Sequence, residues 1–225
     1  MKTPNPTASA FGAGHASTYA AGTPRKVPGF DGLHAMTSQL LAERVRGNGK
    51  ILVLGAGGGL ELKSLAEKHP GWTFDGVDPS ADMLAAAKET IGPHAARIRL
   101  HHGYIADAPD GPFDGAVCLL TFHFIAREHR LETLRHIRRR LAPGAPFVLA
   151  HISFAQTEPE RSQSIARHIA FGGGDPQNQA ARTAIATNLT ILAPEEEEAM
   201  LKEAGFTDIT LFYAGLSFRG WVCYA

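Results

Sequence analysis

Three glycines at alternate positions and a distant aspartate are the residues of this chain with the clearest chemical meaning. Gly55, Gly57 and Gly59 end an apolar run that begins near Lys50, and Asp78 ends a second strand-like segment 23 positions after Gly55. Glycines let a backbone approach a ligand where a Cβ atom would collide, and a carboxylate accepts hydrogen bonds from ribose hydroxyls. Together they predict a nucleoside site at the carboxyl edge of a parallel sheet.

The spacing of the glycines restricts the kind of nucleoside. The dinucleotide fingerprint G-x-G-x-x-G/A fails in both registers, because it meets Leu60 when started at Gly55 and Leu62 when started at Gly57. The phosphate-binding pattern G-x-x-x-x-G-K-S/T is also absent from the sequence, so ATP and GTP lack their usual anchor. A ligand without a pyrophosphate fits the spacing better. A plain strand-to-helix turn without a ligand is the alternative.

Length and charge narrow the class of protein. A chain of 225 residues suits one α/β domain, and its 22 basic and 22 acidic residues cancel, so we expect neither nucleic acid nor a membrane as partner. Residues 1–10 are polar and no apolar run has membrane-spanning length, which predicts a cytoplasmic protein. Cys118 and Cys223 lack C-x-x-C spacing, which predicts buried reduced thiols.

The eleven histidines do not have the spacing of a metal site. His101 and His102 are adjacent on a predicted strand and therefore point to opposite faces. His129 and His136 lie two helical turns apart, at about 5.4 Å per turn, which is too far for one ion. No H-E-x-x-H motif or cysteine cluster occurs, so we expect no metal.

Extended and helical patterns alternate along the chain around the glycines. Apolar runs between turn residues predict strands at about 50–55, 72–77, 97–102, 113–120, 147–153, 207–214 and 217–224. Helical periodicity predicts a helix ahead of the first strand and others at about 59–69, 81–91, 131–141, 158–171, 177–190 and 194–204. Such alternation predicts an α/β fold built on a doubly wound parallel sheet.

Two segments stand outside this alternation. We expect residues 1–30 to form an N-terminal segment that is partly disordered and acts as a lid over the site. Residues 31–225 form the main domain, and two consecutive helices are inserted into it at about 154–192. Because the insertion follows the carboxyl end of a strand, where ligands bind in such sheets, we expect it to be a cap or a dimerisation element.

The motifs follow one another in an order that resembles class I S-adenosylmethionine (SAM)-dependent methyltransferases. The resemblance is carried by the glycine motif, Asp78, residues 103–107, the strand at 117–121 and the turn at 141–144, and it covers residues 45–225. It implies a Rossmann-like, seven-stranded doubly wound sheet whose last strand is antiparallel. It also implies SAM as cofactor and S-adenosylhomocysteine (SAH) as product.

The resemblance further implies which residues hold the cofactor. The glycine motif would line the methionine and ribose, Asp78 the ribose hydroxyls, and residues 104–105 with Met83 the adenine. Structural alternatives exist, since Asp78 can cap the helix after Ser80 and Met83 can belong to the core. The candidate cofactor-binding residues are Gly55, Ala56, Gly57, Gly59, Asp78, Pro79, Met83, Tyr104, Ile105 and Leu120.

A closer resemblance is to the carboxy-S-adenosylmethionine synthase family, which is related to wobble-uridine modification of tRNA. It is carried by residues 25–30, 120–124, 153–154 and 204–206. In that family an arginine of the inserted helices holds the extra carboxylate of carboxy-S-adenosylmethionine, and Arg182 occupies the expected position. The candidate substrate-binding residues are Arg25, Phe30, Arg182 and Tyr213.

The chain departs from these family patterns at four positions. Val53 stands where the glycine motif usually begins with an acid, and Tyr104 stands where an acid usually contacts the adenine amino group. Leu119 replaces an asparagine of the synthase family, and Phe30 replaces a tyrosine. The first pair concerns SAM binding in general, and the second pair concerns the synthase activity.

Methyl transfer to oxygen or nitrogen can require a general base. The candidates at the edge of the crevice are His123 after the fourth strand, His151 near the end of the fifth, and Tyr19 in the N-terminal segment. His123 is the preferred candidate because it follows a strand end that faces the cofactor. Each of the three has a structural role as its alternative.

Three functions follow from these observations. The first is a SAM-dependent methyltransferase that acts on a small, partly apolar or acidic acceptor under the cap. The second is a carboxy-S-adenosylmethionine synthase, and the third is a SAM-binding module without catalysis. The resemblance also suggests a homodimer.

Overall fold

The computed structural model describes residues 22–225 of the chain. The strands of this part are β1 (Lys50–Leu54), β2 (Thr73–Asp78), β3 (Ile98–His102), β4 (Gly115–Leu119), β5 (Pro146–Ile152), β6 (Thr207–Gly215) and β7 (Phe218–Tyr224). They form one seven-stranded sheet in the order β3-β2-β1-β4-β5-β7-β6. The strands from β3 to β5 run parallel to their neighbours, whereas β7 is antiparallel to β5 and β6. The predicted fold class is confirmed, including the antiparallel last strand.

Helices cover both faces of this sheet. They are α1 (Phe30–Ala42), α2 (Leu60–Lys68), α3 (Ala81–Ile91), α4 (Arg127–Arg138), α5 (Glu160–Phe171), α6 (Gln179–Asn188) and α7 (Pro194–Glu203), with a further helical stretch at 22–26. Short 3₁₀ turns lie at Gly92–Arg97, Ile105–Asp107 and Phe122–Phe124. Ser80 is the N-cap of helix α3, where its Oγ accepts a hydrogen bond from the backbone N–H of Met83 at 3.2 Å.

The structure differs from the sequence prediction at the end of β4 and at the start of α4. The predicted strand at 113–120 is shorter, because Leu120 adopts a left-handed φ of 56° that a strand cannot continue. The predicted helix at 131–141 instead spans Arg127–Arg138. Its first turn is entirely polar and carries no apolar periodicity, so the pattern could not reveal it. Arg130 in that turn is nevertheless fully buried.

Alternate residues of the central strands enter two separate cores. Ile51 and Val53 of β1 pack in a cluster that includes residues of α1 and α2. Leu52 and Leu54 pack in a second cluster that includes residues of α4 and α7. Because β1 continues toward β2 and β4 continues toward β5, the chain leaves this pair of strands in opposite directions. The carboxyl ends of β1 and β4 therefore flank a topological switch point, where α/β sheets bind ligands.

The two helices predicted between β5 and the next helix are present as α5 and α6. Ile165 and Ile169 of α5 are buried in the same cluster as Phe30 and Phe218, which fixes α5 against the sheet and α1. Arg182 joins the pair, because its Nη2 donates to the carbonyl of Ser162 at 3.2 Å. The role of this insertion as a cap remains a prediction.

Two further findings concern the cysteines and the character of the helices. Cys118 and Cys223 are both buried and unpaired. Within residues 22–225, none of the helices combines the length and the apolar character needed to cross a bilayer.

Candidate functional site

The glycine turn after β1 adopts a backbone that other residues disfavour. Gly55, Gly57 and Gly59 have φ angles of 76°, 46° and 80°, all in the left-handed region. A Cβ atom at Gly55 would collide with the Thr121 side chain, and one at Gly59 would lie 3.1 Å from the Cα of Ala87. The turn is thus held tightly between the end of β4 and helix α3.

Asp78 connects this turn to the start of α3. The carboxylate is 8% exposed, and its two oxygens accept hydrogen bonds from the backbone N–H of Gly57 at 2.9 Å and of Ser80 at 2.8 Å. Burial raises the pKa of Asp78, and the two backbone hydrogen bonds and nearby His102 act in the opposite direction. Each carboxylate oxygen has a second lone-pair position, so Asp78 can also accept hydrogen bonds from ligand hydroxyls.

A second carboxylate lies beside the turn and was not predicted from the sequence. Glu61, in the first turn of α2, is 7% exposed, and its Oε1 has no hydrogen-bond partner within residues 22–225. Burial and then the charge of Asp78 raise the pKa of Glu61 well above its ordinary value, while a hydrogen bond from the backbone of Leu119 lowers it. The four-residue spacing of Glu61 and the buried Leu65 was the signal in the sequence that the side chain points inward.

The end of β4 approaches the glycine turn from the other side. Leu120 is half-buried and left-handed, and its backbone N–H donates a hydrogen bond to the carbonyl of Ala150 at 2.6 Å. Non-glycine residues in this region are strained, and such strain tends to occur at functional sites. Thr121, the next residue, fills the space beside Gly55.

The predicted adenine-side residues lie around the end of β2. The backbone N–H of Gly103 donates to the carbonyl of Asp78 at 3.0 Å, which brings the segment after β3 next to the carboxylate. Tyr104 is 37% exposed, and Ile105 and Met83 are buried. The carbonyl of Pro79 accepts from His102 Nε2 at 3.0 Å. The structure thus gathers these candidates near Asp78, and their contact with adenine stays a prediction.

His123 is buried behind the end of β4 rather than open to a ligand. Its Nδ1 accepts a hydrogen bond from the backbone N–H of Ile152 at 3.4 Å, so the neutral ring carries its proton on Nε2. Burial, followed by the charges of His151, Arg130 and His168, lowers the pKa of His123 well below its ordinary value. In this arrangement the ring is buried and Nδ1 is already engaged as an acceptor, which favours the structural alternative for His123 over general-base action.

His151 belongs to a buried polar group beneath the crevice. Its Nε2 lies 3.6 Å from the Glu197 carboxylate, which is longer than a hydrogen bond, and its ring packs between Phe122 and Trp221. Glu197 is paired with the fully buried Arg130. These contacts tie β5 to α4 and α7 and favour a structural role. Tyr19, the third candidate base, lies outside the described residues.

The four candidate substrate residues differ in their surroundings. Arg25 is exposed, and Phe30 is buried against the ring of His34 with centroids 4.3 Å apart. The Tyr213 hydroxyl donates to the carbonyl of Pro28 at 2.6 Å, and burial raises the pKa of Tyr213 to about 12.

Arg182, the fourth of these candidates, lies in the inserted helices. Its Nη1 donates to the carbonyl of Pro176 at 3.1 Å, in addition to the contact of Nη2 with Ser162. Two of its five N–H groups are therefore engaged within the insertion. Substrate contact by these four residues stays a prediction.

The described residues also fit the cofactor implied by the resemblance. The glycine turn supplies a surface without side chains, and Asp78 supplies an acceptor fixed by two backbone hydrogen bonds at its edge. Within residues 22–225, no group of three histidine, cysteine or acidic side chains is arranged to hold a metal ion.

Comparison with known proteins agrees with this geometry. Residues 52–147 match the family model described as a methyltransferase domain. A carboxy-S-adenosyl-L-methionine synthase of Chromohalobacter salexigens is 27% identical over 208 residues, which cover 89% of this chain and 77% of that protein. The synthase of Campylobacter hominis is 25% identical over 198 residues, which cover 86% of this chain and 85% of that protein.

The fold is similar to solved methyltransferase structures. Phosphoethanolamine N-methyltransferase 2 of Haemonchus contortus, in complex with SAM, aligns with a TM-score of 0.67 at 15% identity. The alignment covers 88% of this chain but 53% of that structure, so the chain spans about half of its length. Residues 52–147 are therefore similar to a methyltransferase domain, the fold is that of class I SAM-dependent methyltransferases, and most of the chain is similar to the carboxy-S-adenosylmethionine synthases.

Proposed function

We propose that the chain binds SAM in the crevice between β1 and β4 and transfers its methyl group to a small-molecule acceptor. The observation that carries this proposal is the hydrogen bond between the Gly57 N–H and the Asp78 carboxylate, which joins the glycine turn to an acidic acceptor at the switch point. The methyltransferase-domain match to residues 52–147 supports it, because that range contains both groups.

The chain contributes mainly binding and orientation in this proposal. When bound, SAM supplies a methyl group on a sulfonium, which a nucleophile of the acceptor can displace. Asp78 accepts the ribose hydroxyls, and the glycine turn lets the backbone lie against the ligand. Orientation alone can account for about 7–11 kcal/mol of a barrier in well-aligned systems. Since His123 is buried and its Nδ1 already accepts a backbone hydrogen bond, we propose that catalysis depends on this alignment more than on a histidine base.

Calorimetry with SAM and SAH tests the binding step. Asp78→Ala removes the acceptor and is expected to weaken both ligands at least tenfold, because charge-assisted hydrogen bonds are among the strong ones. Asp82→Asn, at an exposed position of α3, is the matched control and should leave affinity unchanged. No heat with either ligand, or equal affinity in Asp78→Ala and the parent protein, overturns the proposal.

A carboxy-S-adenosylmethionine synthase is the second candidate. It is favoured by the similarity to proteins of that name over 89% and 86% of this chain. Mass spectrometry of ligand released from the purified protein separates the two candidates. A ligand heavier than SAM by one carboxyl group, whose retention is lost in Arg182→Ala, favours the synthase. SAM or SAH, with binding unchanged in Arg182→Ala, favours the methyltransferase.

Several finer features belong to the same proposal. We infer that residues 154–192 cover the crevice and that the chain acts as a cytoplasmic homodimer. Most of the N-terminal segment predicted as a lid, residues 1–21, lies outside the described residues. Light scattering of the purified protein tests the homodimer directly. Turnover with candidate acceptors separates both enzymes from the third hypothesis, a SAM-binding module without catalysis.

A further inference from the structure

Glu61 differs from every other buried carboxylate in residues 22–225. The others are paired: Asp75 accepts from Arg99 and His101, Asp78 accepts from two backbone N–H groups, and Glu197 is paired with Arg130. Only the Glu61 carboxylate, 7% exposed, has an oxygen without a hydrogen-bond partner in this part of the chain. Buried polar groups are ordinarily paired, so this oxygen requires an explanation.

The fold gives no reason of its own for a carboxylate at this position. The neighbouring buried residues of α2 are Leu62, Leu65 and Ala66. Of the charged groups within the described residues, only Asp78 acts on Glu61, and its negative charge raises the pKa of Glu61 further, so it is not a compensating partner. Burying a charged group without a partner is strongly unfavourable, and an apolar residue of similar volume would be more stable. A ligand group that arrives with a positive charge removes this difficulty.

The sheet order shows which part of a ligand meets Glu61. The carboxyl ends of β3, β2, β1 and β4 lie side by side in that order. Asp78 ends β2 and Tyr104 follows β3, whereas Glu61 is hydrogen-bonded to the backbone of Leu119 at the end of β4. A nucleoside over β2 and β3 therefore extends its remaining part over β1 toward Glu61. Residues 51–54 of β1 are apolar, so that strand supplies no acid there.

In an adenosyl sulfonium ligand, the part beyond the nucleoside is an aminocarboxypropyl chain. It carries an α-ammonium group, which complements an unpaired carboxylate oxygen, and an α-carboxylate, which does not. We propose that the Glu61 carboxylate is the anchor for the α-ammonium group of the cofactor. This inference rests on the proposed binding of SAM or SAH and names the residue that selects the amino-acid end of the ligand.

Three ligands distinguish this role from a structural one. SAH carries the whole chain, des-amino SAH lacks only the α-amino group, and 5′-methylthioadenosine lacks the entire amino acid. In Glu61→Gln we expect the affinity for SAH to fall at least tenfold, since a charge-assisted hydrogen bond is lost. Affinity for des-amino SAH and for 5′-methylthioadenosine should change less than twofold. Glu67→Gln, exposed on the same helix, is the matched control and should change none of the three.

The outcomes separate the inference from the function beneath it. If the parent protein binds neither SAH nor 5′-methylthioadenosine, the proposed function fails. If both bind but Glu61→Gln weakens all three ligands equally, or weakens none, the Glu61 role is wrong while the proposed function stands. Loss confined to SAH supports both. Circular dichroism of the ligand-free variants confirms that each is folded, so an affinity change is not unfolding.

Discussion

Replacement of Glu61 by glutamine is expected to make the ligand-free protein more stable at neutral and alkaline pH. Burial and the charge of Asp78 raise the pKa of Glu61 well above the ordinary value of a glutamate, about 4.3. Between these two pKa values the folded state binds more protons at this site than the unfolded state. The contribution of Glu61 therefore lowers the free energy of unfolding as pH rises. Glutamine does not titrate, so the free energy of unfolding of Glu61→Gln does not fall with pH for this reason.

The size of the effect follows from proton linkage. The difference in unfolding free energy between Glu61→Gln and the parent protein should grow by up to about 1.4 kcal/mol per pH unit above the ordinary glutamate pKa. It should level off once the pH passes the folded-state pKa of Glu61. In thermal unfolding each kcal/mol corresponds to roughly 2–4 °C for a chain of this size.

Urea unfolding at several pH values between 5 and 9 measures this difference. Trp72 and Trp221 are 3% and 0% exposed, so their fluorescence reports loss of the core. Bound cofactor must first be removed, because a ligand that pairs with Glu61 would hide the effect. Glu67→Gln serves as the control, since exposed charges contribute less than about 1 kcal/mol. A difference that does not change with pH, or a Glu61→Gln protein that is less stable at pH 8, refutes the reasoning.

Three further changes test other parts of the structure by the same urea assay. Gly55→Ala should lower the free energy of unfolding by about 2–4 kcal/mol, because it combines a left-handed backbone with a collision against the end of β4. Gly144→Ala, which has free space around it, should lower it by about 1–2 kcal/mol. Equal losses in the two variants would show that the collision does not matter. Arg130→Ala should lower the free energy of unfolding by about 3–5 kcal/mol, because it leaves Glu197 buried and unpaired. The double variant Arg130→Met with Glu197→Leu should recover most of this loss. A double variant as unstable as Arg130→Ala would contradict this account. Tyr213→Phe should lower the free energy of unfolding by about 1 kcal/mol, because it removes the hydrogen bond to Pro28. This loss should not depend on pH up to 9, since burial raises the pKa of Tyr213 to about 12. Unchanged stability would show that the hydrogen bond adds nothing.

Most of the fold followed from the sequence because the central strands are buried on both faces. Residues 51–54 and 115–119 are buried throughout, and such strands form apolar runs that end at turn residues. Asp78 was found for a related reason, since a polar residue that ends such a run stands at the edge of the sheet. The seven-stranded order itself came from the family resemblance, because strand pairing depends on contacts far apart in the chain.

The residues that the sequence did not reveal depend on partners distant along the chain. Arg130 and Glu197 are 67 positions apart, and each alone is typical of a solvated helix face. Leu120 combines a left-handed φ of 56° with a hydrogen bond from its N–H to the carbonyl of Ala150, and no local pattern encodes that partner. His123 was correctly placed near the end of β4, but its burial against β5 could not be deduced from its position alone.

Three energetically unfavourable features of the described residues lie at one place. Leu120 is strained, Gly55 is crowded by Thr121, and Glu61 has an unpaired buried oxygen, all where β1 and β4 end. Elsewhere the same fold pairs its buried acids fully, as it does for Asp75. Strain and unpaired charge persist where a ligand compensates them, so their common location favours the crevice as the binding site. A variant that relieves one of them should gain stability in the free protein and lose affinity for the ligand, and Glu61→Gln tests both effects in a single molecule.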